Sequence, residues 1–99
     1  MNLPISIDQT EIAAFCIRHH LTRLALFGSV LTDHFRPESD VDVLFEYHPD
    51  NIPSLFDVAA MEEELTTILG RKADMRTPRD LSGRFRDEVV RTAVVQYAA

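Results

Sequence analysis

Asp40 and Asp42 stand two residues apart in the stretch SDVDVLFEY, alternating with Val41 and Val43. In an extended chain that spacing sends both carboxylates out of one face, about 7 Å apart, where they can converge on one ion. Two like charges this close repel, and a fold tolerates them when they are solvated or when a cation lies between them. Hard oxygen donors in this number suit Mg²⁺, which is commonly held by one or two carboxylates together with substrate phosphates. Asp74, in RKADMRT, is a third acid that alternation places in mid-strand. If its strand lies beside that of Asp42, the three carboxylates can hold two metal ions roughly 3.5 to 4 Å apart, as in phosphoryl-type transfer. Gly28 and Ser29 supply the complementary half. They fall where a strand is expected to end and a helix to begin, a junction that offers backbone N–H groups, a helix dipole and a residue without Cβ to an approaching phosphate. Taken singly, each feature has a plainer reading: a strand terminator, a solvated face, an Asp74 paired with Lys72 or Arg76. Their order and spacing together point to a metal site facing a phosphate cradle.

Regular elements must position these groups. Asp8, Glu11 and the Ile7/Ile12 pair open a first helix whose buried stripe is Ile12, Phe15 and Cys16. The run TRLALFG reads as a strand stopped by Gly28, and SVLTDHF as a short helix limited by Pro37. SDVDVLFEY is a strand with Val41, Val43 and Phe45 on one face and Asp40, Asp42 and Leu44 on the other. Ser54 and Asp57 cap a long helix, Leu55 to Leu69, with Leu55, Val58, Met61, Leu65 and Ile68 inward and Glu62 to Glu64 as its solvated face, and Gly70 ends it. RKADMRT is a third strand with Ala73 and Met75 on one side. Thr77, Pro78 and Asp80 then start a final helical region carrying Leu81, Phe85 and Val89 inward and running into AVVQYAA. Phe15, Phe27, Phe45 and Phe56 are likewise expected in the core. The result is a single α/β domain over residues 1–99, helices covering a small sheet.

Composition narrows the function. The apolar share of 45% and charged share of 26% are those of a folding domain, and 99 residues bury one core. A net charge of -6 and a pI near 5.0 oppose a grip on a nucleic-acid backbone, which needs clustered Lys and Arg, and favour a cation or a basic partner. Cys16 is the only cysteine, which excludes an intramolecular disulfide and suits a reducing cytoplasm. No apolar stretch approaches the roughly 18 residues of a spanning helix, so no membrane association is expected. His19, His20, His34 and His48 lack the ligand spacing of a zinc site.

The stretch GSVLTDHFRPESDVDV resembles the signature of the polymerase-β-like nucleotidyltransferase superfamily, a Gly-Ser pair followed at this spacing by Asp-x-Asp. LFGSV, FRPESDVDVLFEY, LFDVAAMEEELTTILG and RKADMRTP, in that order, are similar to minimal nucleotidyltransferases (MNT), the antitoxins paired with HEPN-domain toxins. The resemblance implies a small mixed sheet flanked by helices, a polymerase-β-like palm. It implies nucleotide binding by Gly28, Ser29, Ser39 and Arg36, with Asp40, Asp42 and Asp74 both holding Mg²⁺ and serving catalysis, Asp74 toward the acceptor hydroxyl. It further implies ATP as substrate, two Mg²⁺ ions, and transfer of AMP to a tyrosine of a cognate HEPN ribonuclease toxin, the expected partner. Leu31, Thr32 and Asp33 depart from the small residue, Arg and Gly of many relatives, a loss that either weakens nucleotide binding or passes the arginine's task to Arg36, Arg76 or Arg79. Two other readings remain: an antitoxin that neutralises its toxin by contact alone, and transfer to RNA or a small molecule, against which a single domain counts and, for RNA, the missing basic patch as well.

Overall fold

In the computed structural model, which describes residues 3–99, Asp8 starts helix α1 (Gln9–Arg18) by accepting the N–H groups of Thr10 and Glu11. The chain turns at His20, a non-glycine residue at φ 57, into strand β1 (Leu21–Phe27). A single 3₁₀ turn over Gly28–Leu31 and an irregular stretch lead to strand β2 (Val41–Tyr47). Helix α2 (Leu55–Leu69) begins with the reciprocal Ser54/Asp57 capping box and ends at Gly70, whose φ of 72 is the left-handed conformation glycine adopts at least cost. Strand β3 (Ala73–Arg76), a second 3₁₀ turn (Pro78–Asp80), helix α3 (Gly83–Thr92) and strand β4 (Val94–Ala98) complete the domain.

The sheet is mixed, with the order β3-β2-β1-β4. β1 pairs antiparallel with both β2 and β4, whereas β2 and β3 run parallel. One face packs Leu24, Leu26, Val41, Val43, Phe45 and Met75 against Ile12 and Phe15 of α1 and Met61 and Leu65 of α2. Fully burying each such side chain favours the fold by roughly 1.5–3 kcal/mol relative to exposure. Cys16 lies in this core, where burial pushes its thiol up to about 12 and leaves it inert. The other face is thinner: Ala25, Phe27 and Leu44 meet Leu81, Val89 and the partly buried Ala93 from the α3 side.

β3 is an edge strand, and its outward N–H groups are covered by side chains. Ala73 donates to Thr66 Oγ1 at 2.9 Å, Met75 to Glu62 Oε2 at 2.7 Å, and Thr77 to Asp80 Oδ2 at 2.9 Å. This blunts an edge that would otherwise template pairing with another chain.

Several sequence expectations need correction. The helix expected from Ser29 stops after one turn, because the Thr32 hydroxyl and N–H both donate to the Ser29 carbonyl at 2.9 Å and close it off. The tail AVVQYAA is not helical: its β-branched and aromatic residues form β4 on the open side of β1. Leu55 and Phe56 are each 88% exposed, since the first turn of α2 projects past the sheet, and Leu69 takes the inward place at the other end. Phe85 is half-exposed at 50%. The acids Glu62 to Glu64 are not a uniformly solvated face: besides Glu62, Glu64 binds Arg18 and His19 Nε2, the latter at 2.6 Å, and clasps α1 to α2.

Candidate active site

The strand period does the first part of the positioning. Asp42 and Leu44 leave β2 on the thin face, and Asp74 sits directly across from Asp42 in the parallel register. On the other side Phe27 pairs with Asp42, so Gly28 begins its turn beside the same carboxylate. Gly28 has φ 78, and a Cβ there would collide with the Asp42 carboxylate. Any side chain at this position would therefore be strained and would also displace Asp42. The Gly-Ser turn and the Asp-x-Asp strand thus form one unit, a contact with no local signal in the sequence.

Asp42 is half-buried, whereas Asp40 at the strand entrance is exposed. Burial first, and then the charges of Asp74 and Asp40, push the Asp42 carboxyl above its usual range, and Arg76 only partly offsets them. Arg76 grips Asp74 with two hydrogen bonds, Nε to Oδ1 at 3.2 Å and Nη2 to Oδ2 at 3.4 Å. Among the described residues no three His, Cys, Asp or Glu side chains stand close enough together to hold a metal ion as placed. The donor set nonetheless fits a hard divalent cation. Carboxylate oxygens are its preferred ligands, and the mutual repulsion that raises Asp42 is what such an ion relieves. Asp40 and Asp42 would be its nearest members, whereas Asp74 is hydrogen-bonded by Arg76.

Behind the cradle the expected helix dipole is absent, because the Gly28–Leu31 turn is too short to build one. What it offers an anion is backbone N–H groups, the half-buried Ser29, and the space left by Gly28. The other two expected nucleotide-binding residues lie in the loop before β2. Ser39 Oγ accepts the Arg36 N–H at 2.9 Å and shapes that loop. Arg36 is exposed, with Nη1 directed at the Asp33 carbonyl, 3.5 Å away.

Two concavities border the site. A groove of about 620 Å³ runs past the end of β3 and is lined by Asp74, Arg76, Arg79 and Leu55. A cleft of about 310 Å³ lies between α3 and the Gly28 turn and includes Phe27, Leu31 and Phe85. The second was not foreseen from sequence, which had placed Phe85 in the core.

The nucleotidyltransferase domain family model matches residues 10–95. Protein adenylyltransferase MntA of Thermococcus cleftensis is 30% identical over 77 residues, covering 78% of this chain and 76% of its own length. A solved structure provisionally named a minimal nucleotidyltransferase superposes with a TM-score of 0.71 at 31% identity, covering 87% of this chain and 86% of the other. A toxin-antitoxin structure with AMP-PNP shares the fold, with a TM-score of 0.73 at 17% identity over 94% of this chain and 75% of that one.

Proposed function

The chain belongs to the nucleotidyltransferase domain family, and on that premise we propose that it is a Mg²⁺-dependent protein adenylyltransferase. In this reading it moves AMP from ATP to a tyrosine of a HEPN-domain ribonuclease toxin and so serves as its antitoxin. The observation that carries the proposal is the meeting of Gly28, Asp42 and Asp74 at one point of the sheet. The naming of the T. cleftensis relative as a protein adenylyltransferase supports the reaction class, and the fold shared with a toxin-antitoxin structure holding AMP-PNP supports nucleotide and partner.

Asp40 and Asp42 would hold the metal, Asp42 from the less solvated position. A divalent ion held there would supply charge neutralisation of the triphosphate and a lowered pKa for the attacking hydroxyl. The Gly28–Leu31 turn and the Ser29 hydroxyl hydrogen-bond the phosphates. Arg76 lies on the same face of β3 as Asp74 and is the cation best placed to take the role of the arginine missing at Thr32. When Arg76 turns to the phosphates, Asp74 is released to orient the acceptor hydroxyl and receive its proton. The hydroxyl oxygen bonds to the α-phosphorus as the bond to pyrophosphate breaks. Exposed Leu55 on the larger groove beside Asp74, with Phe56 next to it, suits a protein acceptor better than a small polar one.

A contact-only antitoxin is the second reading, favoured by the Asp74–Arg76 pair, which already neutralises one expected ligand. Pyrophosphate release from ATP, with Mg²⁺ and the HEPN-domain partner, separates the two. Native protein is expected to release it, and Asp42→Asn to do so slower by roughly 100-fold or more. Equal release by both, or none from either while the toxin is still inhibited, would refute the catalytic reading.

A further inference from the structure

The face of the sheet that carries Asp42 is only partly covered by α3. Between α3 and the Gly28 turn it leaves the 310 Å³ cleft, whose walls are Phe27, Leu31, Phe85 and Val89, with Glu88 among its polar lining. Two observations set this cleft apart from ordinary surface relief. It shares Gly28 with the phosphate cradle and Phe27 with the strand position paired to Asp42, so a group seated in it is continuous with a triphosphate at the turn. And Phe85, on a helix whose next inward residue Val89 is buried, keeps half its ring in water at the cleft. A flat aromatic beside an apolar recess offers a π-face to another ring, and its volume is at the small end of ligand pockets.

We propose that this cleft is the nucleobase subsite. The base stacks on Phe85 with Phe27, Leu31 and Val89 beneath it, and the Glu88 carboxylate, an acceptor only, takes a hydrogen bond from an exocyclic amino group. The site therefore prefers an amino-bearing base to uracil. This rests on the nucleotidyltransferase reading above and supplies the part of it that a metal-and-phosphate site cannot, since neither carboxylates nor backbone N–H groups distinguish one base from another.

The test is calorimetric binding of ATP, UTP and inorganic tripolyphosphate, each with Mg²⁺, to the full chain and to Phe85→Ala, Phe85→Tyr and Glu88→Gln. Phe85→Ala is expected to weaken ATP by roughly 10-fold and leave tripolyphosphate unchanged. Phe85→Tyr should restore ATP binding, and Glu88→Gln should narrow the preference for ATP over UTP. ATP binding by Phe85→Ala equal to native, or an equal loss for ATP and tripolyphosphate, would overturn the subsite while leaving the phosphate cradle intact. A native chain that binds neither ATP nor tripolyphosphate would overturn both readings together.

Discussion

Asp42 carries its charge at a cost. Burial and two neighbouring carboxylates raise its pKa above the usual value, so the folded state binds its proton more tightly than the unfolded chain does. Stability without metal therefore falls as pH rises from the ordinary carboxylate range through the raised value, and at neutral pH the ionised side chain is a net penalty. Asp42→Asn is nearly isosteric and removes that penalty. Without divalent metal it should unfold at a higher temperature than native, the gain held to roughly 0.5 kcal/mol because solvent screens this half-exposed group. Added Mg²⁺ should raise the native melting temperature and leave the variant nearly unchanged. A variant less stable than native without metal would contradict this account. Much of this was legible in advance: alternation alone puts Asp42 and Asp74 on like faces and Arg76 beside Asp74, given only that β3 pairs with β2. The contact of Gly28 with Asp42 was not, because it closes across an irregular loop without periodicity.

At the scale of elements, acidic side chains of α2 act as connectors. Glu62 covers the β3 edge and Glu64 joins α2 to α1. Partial burial pushes the Glu64 carboxyl up, but the hydrogen bonds from His19 and Arg18 outweigh it and bring it below its usual value. Its contribution is therefore present above the ordinary glutamate range and is lost as pH falls through the lowered value. Because the pair is partly solvated, Glu64→Gln should cost only roughly 0.5–1 kcal/mol near neutral pH, and the cost should shrink in acid as the carboxylate takes up its proton. Urea midpoints of native and variant at neutral pH and in acid check this, and equal midpoints at neutral pH would refute it. The helix signals of this region were plain in the sequence, since Asp8, the Ser54/Asp57 box and Gly70 act locally. The 3₁₀ turn and β4 were not: Thr32 ends the turn by a side-chain bond that competes with helix, and β4 exists because β1 offers it an edge.

The whole molecule is built unevenly about its sheet. α1 and α2 bury one face in a continuous core, while the other face is left thin enough to hold the carboxylates, the Gly28 turn and a cleft. No helix among the described residues is long and apolar enough to cross a membrane. The net charge of -6 would draw a basic partner electrostatically to this surface, an effect that salt screens. The order of elements follows largely from hydrophobic period and caps, whereas the exposure of Leu55, Phe56 and Phe85 depends on how far each helix overhangs the sheet, which no local pattern encodes. We read the assembled carboxylates as the site that transfers AMP to a protein. The intact mass of the proposed HEPN-domain partner, after incubation with ATP, Mg²⁺ and either native protein or the Asp40→Asn/Asp42→Asn variant, tests this. Adenylyl-sized mass steps with the native protein alone are the expected result. An unmodified partner that both forms bind and inhibit equally would contradict the claim.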